Sequence, residues 1–75
     1  MTITIYSKPN CVFCDKAKSM VKNLGFEYEE KMFGKDFNTP DELYEAVGKQ
    51  VRTMPQIIID DKHIGGYNEL VEHFA

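Results

Sequence analysis

The feature that most constrains the fold is an uninterrupted apolar run, Ile57-Ile58-Ile59, between Gln56 and Asp60. A strand with one solvated face alternates apolar and polar residues, whereas a strand covered on both faces is apolar throughout. The run therefore predicts a strand in the interior of a sheet, with other elements packed on both faces. A chain of 75 residues has room for one domain, so this sheet is expected to organise residues 1–75 as a whole.

The first third of the chain changes its periodicity at Cys11. Alternation with β-branched residues over Thr2–Tyr6 predicts a strand, and Pro9 breaks it because proline lacks the amide proton that a strand needs. From Cys11 onward apolar residues recur at helical spacing, with Asn10 as the predicted N-cap and Gly25 as the predicted end of the helix. The predicted buried face of this helix consists of Cys14, Ala17, Val21 and Leu24, with Met20 beside them.

The rest of the chain continues as short strands and helices. Its clearest helix start is Thr39-Pro40-Asp41-Glu42, because Thr and Glu at this spacing form a capping box and proline suits the first turn. The predicted elements are a strand over Phe26–Phe33, a loop over Gly34–Asn38, a helix from Thr39 that buries Leu43, Ala46 and Val47 and stops at Gly48, a strand over Gln56–Asp60, a short strand at His63-Ile64, and a helix over Tyr67–Phe74.

The resulting element order is β-α-β-α-β-β-α, without internal repeats. The first β-α-β unit implies parallel strands joined by a right-handed crossover, and the last two strands form a hairpin. We therefore predict an α/β fold of the thioredoxin-like type. It is a single small domain, residues 1–75, with a four-stranded mixed sheet flanked by three helices.

Charge and composition exclude several classes of protein. The net charge of −3 offers no basic excess for nucleic acid or an anionic membrane. No stretch approaches the roughly 20 apolar residues that span a bilayer, and the N-terminus reads as a strand and not as a signal peptide. Two cysteines three positions apart are too few for a disulfide framework. We therefore expect a cytoplasmic protein with no nucleic-acid or membrane partner.

The chemistry-bearing motif is Cys11-Val12-Phe13-Cys14, at the junction of the first strand and the first helix. Unpaired amides and the dipole at a helix N-terminus favour a thiolate, and such sites lower the cysteine pKa from about 8.5 to roughly 3.5–7.5. Cys11 is predicted to be exposed and to attack, while Cys14, one turn inside, resolves the mixed disulfide. Lys8 either adds positive charge beside the thiolate or is an ordinary solvated lysine.

Other uses of the cysteine pair fit the sequence less well. A structural disulfide that closes so short a loop contributes little to stability. A zinc site needs about four ligands, and the only further candidates, His63 and His73, are ten apart without partner cysteines. An iron–sulfur cluster needs about four thiolate-type ligands, so it would require a second chain and ligands from elsewhere. We therefore predict no metal site within the chain.

Three blocks of sequence resemble the glutaredoxin family, and the resemblance covers nearly the whole chain. A Cys-x-x-Cys pair alone is weak support, whereas three blocks in the right order and structural context are specific. The blocks are Ser7-Lys8-Pro9-Asn10-Cys11-Val12-Phe13-Cys14, Arg52-Thr53-Met54-Pro55-Gln56-Ile57-Ile58-Ile59-Asp60 and His63-Ile64-Gly65-Gly66-Tyr67-Asn68-Glu69-Leu70.

The resemblance implies a glutathione site beside the dithiol. Pro55 matches the family's cis-proline, and the backbone of Met54 matches the group that pairs with the cysteinyl part of glutathione. Lys8 and Arg52 match positions near the glycine carboxylate. The implied glutathione-binding residues are Lys8, Phe13, Arg52, Thr53, Met54, Pro55, Gly66, Tyr67, Asn68 and Glu69, with Tyr67, Asn68 and Glu69 at the γ-glutamyl end.

The chain departs from the family pattern at several of these positions. Met54 stands where relatives usually carry Val, and Phe13 keeps an aromatic ring but loses the hydroxyl of the usual Tyr. Val12 replaces a common Pro and so restores an amide next to Cys11, which we expect to shift the redox potential. Asn68 and Glu69 replace shorter or different polar residues, so the geometry at the γ-glutamyl end is left open.

The resemblance implies a glutathione-dependent thiol–disulfide oxidoreductase with Cys11 and Cys14 as its catalytic residues. It would reduce protein disulfides and glutathione mixed disulfides as a monomer, with glutathione as co-substrate and no tightly bound cofactor. Ribonucleotide reductase is one client that the family suggests. Two alternatives stay open at this point: a thioredoxin-like electron carrier reduced by a flavoprotein reductase, and a binding module for a glutathione-ligated iron–sulfur cluster shared by two chains.

Overall fold

A computed structural model describes residues 1–75 and shows the predicted order of seven elements. The strands form one four-stranded sheet in the order β2-β1-β3-β4, so the Ile57–Ile59 run lies on an interior strand. The thioredoxin-like, mixed α/β fold is confirmed. The elements are β1 (Ile3–Ser7), α1 (Val12–Asn23), β2 (Glu29–Met32), α2 (Pro40–Val47), β3 (Gln56–Ile59), β4 (Lys62–Gly65) and α3 (Tyr67–His73).

Pairing within the sheet follows the predicted topology. Strands β1 and β2 are parallel, and β3 runs antiparallel to both β1 and β4. The hairpin between β3 and β4 turns at Asp60 and Asp61, which both have positive φ, of 50° and 67°. Two successive residues in this conformation match the right-handed twist of the strands they join.

Alternating side chains of the central strands divide between two apolar clusters. On one face, Ile57 and Ile59 pack with α1 and α3 in a fully buried cluster. On the other, Ile58 and Tyr6 pack against a second cluster beneath α2. The prediction that both faces are covered is therefore confirmed. The first cluster contains Ile3, Ile5, Ala17, Val21, Ile57, Ile59 and Leu70, and the second contains Phe37, Leu43 and Val47.

The start of α2 is built as the sequence predicts. The Thr39 hydroxyl accepts a hydrogen bond from the amide of Glu42 at 3.3 Å, and the Glu42 carboxylate accepts one from the amide of Thr39 at 2.9 Å. Backbone donors from Asn38 and Thr39 lower the pKa of Glu42. The helix ends at Gly48, whose φ of 84° is one that glycine adopts without steric cost.

Several local predictions were wrong. Leu24 and Ala46 are exposed. Leu24 lies just past α1, which ends at Asn23, and the buried residues of α2 are Leu43 and Val47. The second strand begins at Glu29 and not at Phe26. The predicted loop 34–38 buries Phe37, which packs edge-on against Tyr6 at a centroid distance of 5.6 Å.

None of the three helices is both long and apolar enough to cross a membrane.

Candidate functional site

The two cysteines form a disulfide at the N-terminus of α1. Cys11 itself is the N-cap, with φ −118° and ψ 105°, and its sulfur accepts a hydrogen bond from the amide of Cys14 at 3.2 Å. The predicted cap, Asn10, lies one residue outside the helix in a left-handed conformation with φ 57°, so that prediction was wrong. The motif thus caps its own helix with the sulfur that was predicted to attack.

The disulfide packs against the loop that precedes β3. The peptide bond between Met54 and Pro55 is cis, as the resemblance implies. The carbonyl oxygen of Met54 lies 3.7 Å from the sulfur of Cys11. Cys11 is only 9% exposed and Cys14 only 1%, so the predicted exposure of Cys11 was wrong for the disulfide form. The loop and the bonded partner cover its sulfur, although Cys11 remains the more accessible of the two.

A groove of about 210 Å³ adjoins this loop and is called the Tyr67 groove below. The rings of Phe13 and Tyr67 stand together on it, with centroids 5.8 Å apart, and the amino group of Lys16 lies 5.2 Å from the Phe13 centroid. It brings together eight of the ten residues that the resemblance assigned to glutathione. Its lining consists of Phe13, Thr53, Met54, Pro55, Gly66, Tyr67, Asn68 and Glu69.

The other two predicted residues, Lys8 and Arg52, line a neighbouring groove of about 410 Å³, called the Leu43 groove below. This groove shares Thr53 and Met54 with the Tyr67 groove, so the two meet at the cis-proline loop. All ten predicted residues therefore lie along one continuous surface beside the dithiol. The Leu43 groove is lined by Lys8, Phe33, Phe37, Pro40, Leu43, Tyr44, Val51, Arg52, Thr53 and Met54.

Two glycines let α3 approach the cis-proline loop. A Cβ atom on Gly66 would lie 3.3 Å from the carbonyl oxygen of Pro55, and one on Gly65 would lie 2.7 Å from Cγ of Glu69. Gly65 also has a φ of 120°, which disfavours side chains. The space that these glycines leave is used by the carboxylate of Glu69, which accepts a hydrogen bond from the Gly66 amide at 2.7 Å.

A relay of side-chain hydrogen bonds from His63 through Gln56 to Thr53 holds the cis-proline loop. Gln56, 3% exposed, donates its amide nitrogen to the Thr53 carbonyl oxygen at 2.7 Å and to the Thr53 hydroxyl at 3.2 Å. Its amide oxygen lies 2.7 Å from Nε2 of His63 and must accept the proton of that nitrogen, since the Gln56 amide nitrogen is already used as a donor. Burial lowers the pKa of His63, and the charge of Lys49 adds to the effect.

This relay was not predicted from the sequence. Its only sequence signal was a polar amide at the start of an otherwise apolar strand, with a histidine seven residues later. A further unpredicted network joins β1, β2 and α1. The hydroxyl of buried Ser7 donates to Glu30 at 2.9 Å, and Lys18 pairs with the same carboxylate at 2.6 Å. The Lys18 hydrogen bond lowers the pKa of Glu30, and Glu30 raises that of Lys18.

The chain brings no three His, Cys, Asp or Glu side chains together as a metal site. The bond that the structure does hold, between Cys11 and Cys14, opens when a thiolate attacks one sulfur and re-forms with the release of two electrons. On this fold, that chemistry defines the class. The chain is a thiol–disulfide oxidoreductase.

Comparison with known families narrows the class. The family model described as Glutaredoxin matches residues 3–64, which is most of the chain. The chain therefore belongs to the glutaredoxin family. The glutaredoxin of Haemophilus influenzae is 37% identical over 71 residues, which cover 88% of this chain and 82% of that protein.

A longer relative contains a similar sequence as one part. The hybrid peroxiredoxin hyPrx5 of Haemophilus influenzae is 39% identical over 74 residues, or 99% of this chain, but the chain spans only 30% of that protein. Among solved structures, reduced Escherichia coli glutaredoxin superimposes with a TM-score of 0.84 at 31% identity, covering 97% of this chain and 92% of that one. A buckwheat glutaredoxin–glutathione complex superimposes with a TM-score of 0.78 at 27% identity, covering 96% of this chain and 66% of the buckwheat chain.

Proposed function

We propose that this oxidoreductase takes its electrons from glutathione and reduces glutathione mixed disulfides and protein disulfides. The observation that carries the proposal is the continuous surface formed by the Tyr67 and Leu43 grooves, which meet at Met54 beside the sulfur of Cys11. A tripeptide thiol laid along this surface has its sulfur at the dithiol and one end in each groove. The similarity to a glutaredoxin solved with glutathione supports the same placement.

The ends of the surface suit the two ends of glutathione. Lys8 and Arg52 line the Leu43 groove, and neither takes part in an ion pair within the chain, so both are available to the glycine carboxylate. Tyr67, Asn68 and Glu69 line the other end, where polar groups can receive the γ-glutamyl portion. Between the ends, the Met54 backbone offers extended-chain hydrogen bonds to the cysteinyl residue.

The proposed reaction begins with the thiolate of Cys11. It attacks the glutathione sulfur of a mixed disulfide, forms a Cys11–glutathione disulfide and releases the client thiolate, which takes a proton from water. A second glutathione thiolate then attacks the adduct, and oxidised glutathione leaves. The amide of Cys14 is well placed for this step, because it already donates to the Cys11 sulfur at 3.2 Å and would stabilise a thiolate there.

On a protein disulfide both cysteines are used. Cys11 attacks one client sulfur and releases the other as a thiolate. Cys14 then attacks the Cys11 sulfur, which frees the reduced client and leaves the disulfide that the structure contains. We further propose a monomer that acts in the cytoplasm, with ribonucleotide reductase as one candidate client.

The test is a disulfide-reduction assay with glutathione as the only reductant, on the wild type, Cys11→Ser and Cys14→Ser. Cys11→Ser should abolish the reaction. Cys14→Ser should keep activity on a glutathionylated peptide and lose it on a protein disulfide that needs both thiols. Full activity of the wild type with NADPH and a flavoprotein thioredoxin reductase, with none from glutathione, would contradict the proposal and favour the electron-carrier alternative.

A further inference from the structure

The Leu43 groove has an apolar lining besides its two cations, Lys8 and Arg52. If glutathione lies as proposed above, it ends at a carboxylate near Lys8 and Arg52, at the entrance of this groove. The remaining lining is apolar and has no assigned ligand. It includes the half-buried Tyr44 and Val51 and the exposed ring of Phe33, 40% accessible. An exposed phenylalanine beside a reactive site is a common feature of a surface that binds a polypeptide.

The direction of a bound chain follows from the two grooves. The γ-glutamyl end points to α3 and the glycine end to the Leu43 groove, so a longer polypeptide runs into this groove on the C-terminal side of its reacting cysteine. An extended chain advances about 3.3 Å per residue. The second residue after the cysteine therefore begins where glutathione ends, and its side chain or the next one reaches the apolar lining.

The charge of the groove restricts the occupant further. Its lining contains two cations, Lys8 and Arg52, and no Asp or Glu, although the chain as a whole carries a net charge of −3. A glutathione molecule supplies its terminal carboxylate to these cations. An internal segment of a client protein has no terminal carboxylate, so an acidic side chain is the group that complements these cations.

We propose that the Leu43 groove is the client-recognition site of this enzyme. It binds a polypeptide with a bulky apolar side chain at the second residue after the reacting cysteine and an acidic side chain next to it. This inference rests on the proposed function for the direction of the bound chain. It goes beyond that function because glutathione itself does not fill the groove.

The test uses the oxidised protein and synthetic thiol peptides with blocked termini. The peptide thiolate attacks the Cys11 sulfur, the bond to Cys14 breaks, and Cys14 leaves as a thiolate that is then protonated. A second peptide thiol releases the oxidised peptide dimer and the reduced protein. Acid quenching and mass spectrometry give the second-order rate constant of the first step for each peptide.

Two peptide comparisons measure recognition without any change to the protein. The sequence Gly-Cys-Gly-Phe-Glu should react about threefold faster than Gly-Cys-Gly-Ala-Glu, because partial burial of one aromatic ring is worth about half a tenfold step on a logarithmic scale. Replacing the peptide's Glu with Gln should slow the reaction about two- to threefold at low salt, and less at high salt. Moving the Phe to the N-terminal side of the cysteine should abolish its advantage.

A matched pair of variants locates the effect on the protein. Phe33→Ala removes an exposed ring from the groove, and Phe26→Ala removes a ring of similar exposure, 37%, that stacks on Phe74 outside it. The first should reduce the preference for the Phe peptide to below twofold, and the second should leave it intact. Equal rates of the Phe and Ala peptides with the wild type, or a full preference in Phe33→Ala, would overturn the assignment.

Glutathione itself separates this inference from the proposed function. Its rate constant should be the same for wild type and Phe26→Ala, whose missing ring lies outside both grooves. If glutathione reacts no faster than 2-mercaptoethanol, the proposed function fails whatever the peptides do. If glutathione is preferred and the Phe and Ala peptides react alike, only the client-recognition site fails.

Discussion

Replacing Gln56 with methionine should destabilise the protein by about 2 kcal/mol. The two side chains are similar in length, so the change removes hydrogen bonds and leaves the packing volume nearly intact. Gln56 makes two short bonds, to the Thr53 carbonyl and to His63, each at 2.7 Å. A hydrogen bond of this kind contributes about 1 kcal/mol net, and partners near the surface regain part of the loss from water. The weaker bond to the Thr53 hydroxyl offsets that recovery.

Thermal unfolding of the oxidised protein at pH 7 measures this effect. At this chain length a loss of 1 kcal/mol lowers Tm by about 4–8 °C, so the expected decrease is about 8–16 °C. Gln50→Met is the matched control, because Gln50 is exposed and makes no side-chain hydrogen bond. The control should stay within about 0.5 kcal/mol of wild type. A Gln56 variant as stable as the control would show that the relay does not stabilise the cis-proline loop.

Three further perturbations test other contacts. Lys18→Met should lower the free energy of unfolding by about 1 kcal/mol at pH 7, measured with urea. Because the Lys18–Glu30 ion pair lowers the pKa of Glu30, this difference from wild type should persist above pH 4.5 and shrink as pH falls through the folded-state pKa of Glu30. Burial lowers the pKa of His63 below its ordinary value of 6.5, so the unfolded chain binds a proton at a higher pH than the folded protein does. Wild-type stability should therefore decline as pH falls from 6.5 through the folded-state pKa, and His63→Gln should flatten this decline in urea unfolding at several pH values. Gly65→Ala places a Cβ 2.7 Å from a side-chain carbon of Glu69 at a φ of 120°, so it should lower the free energy of unfolding, measured with urea, by about 1–3 kcal/mol. Gly34→Ala, with open space around it, should lower it less.

The fold was largely predictable because its determinants are local in sequence. The Ile57–Ile59 run fixed an interior strand, and the Thr39 capping box fixed the start of a helix. The errors arose where tertiary contacts decide. Leu24 keeps the helical period but lies just past the end of α1, and Phe37 is buried because the loop folds over α2, which no periodicity within the loop records.

The site was predictable only in part. The positions of Cys11 and Cys14 follow from local pattern, and the ten groove residues follow from the resemblance, since their distance along the chain hides their proximity. The relay from His63 through Gln56 escaped prediction because it depends on side-chain direction across a hairpin that contains a bulge. A sequence pattern gives the face of a strand, but it does not give the partner of one buried amide.

Two backbone groups beside the Cys11 sulfur have opposite effects on its reduced forms, because one stabilises the thiolate and the other stabilises the thiol. The Cys14 amide, 3.2 Å away, donates more strongly to a thiolate than to a protonated thiol, whereas the Met54 carbonyl, 3.7 Å away, can accept only from a protonated thiol and repels a thiolate. The amide is the closer of the two and belongs to the first turn of α1, and a helix N-terminus is a position that favours a thiolate over a thiol. A ligand backbone that hydrogen-bonds to Met54 would engage the opposing carbonyl. In the proposed function, substrate binding would therefore act on the attacking sulfur through one peptide group.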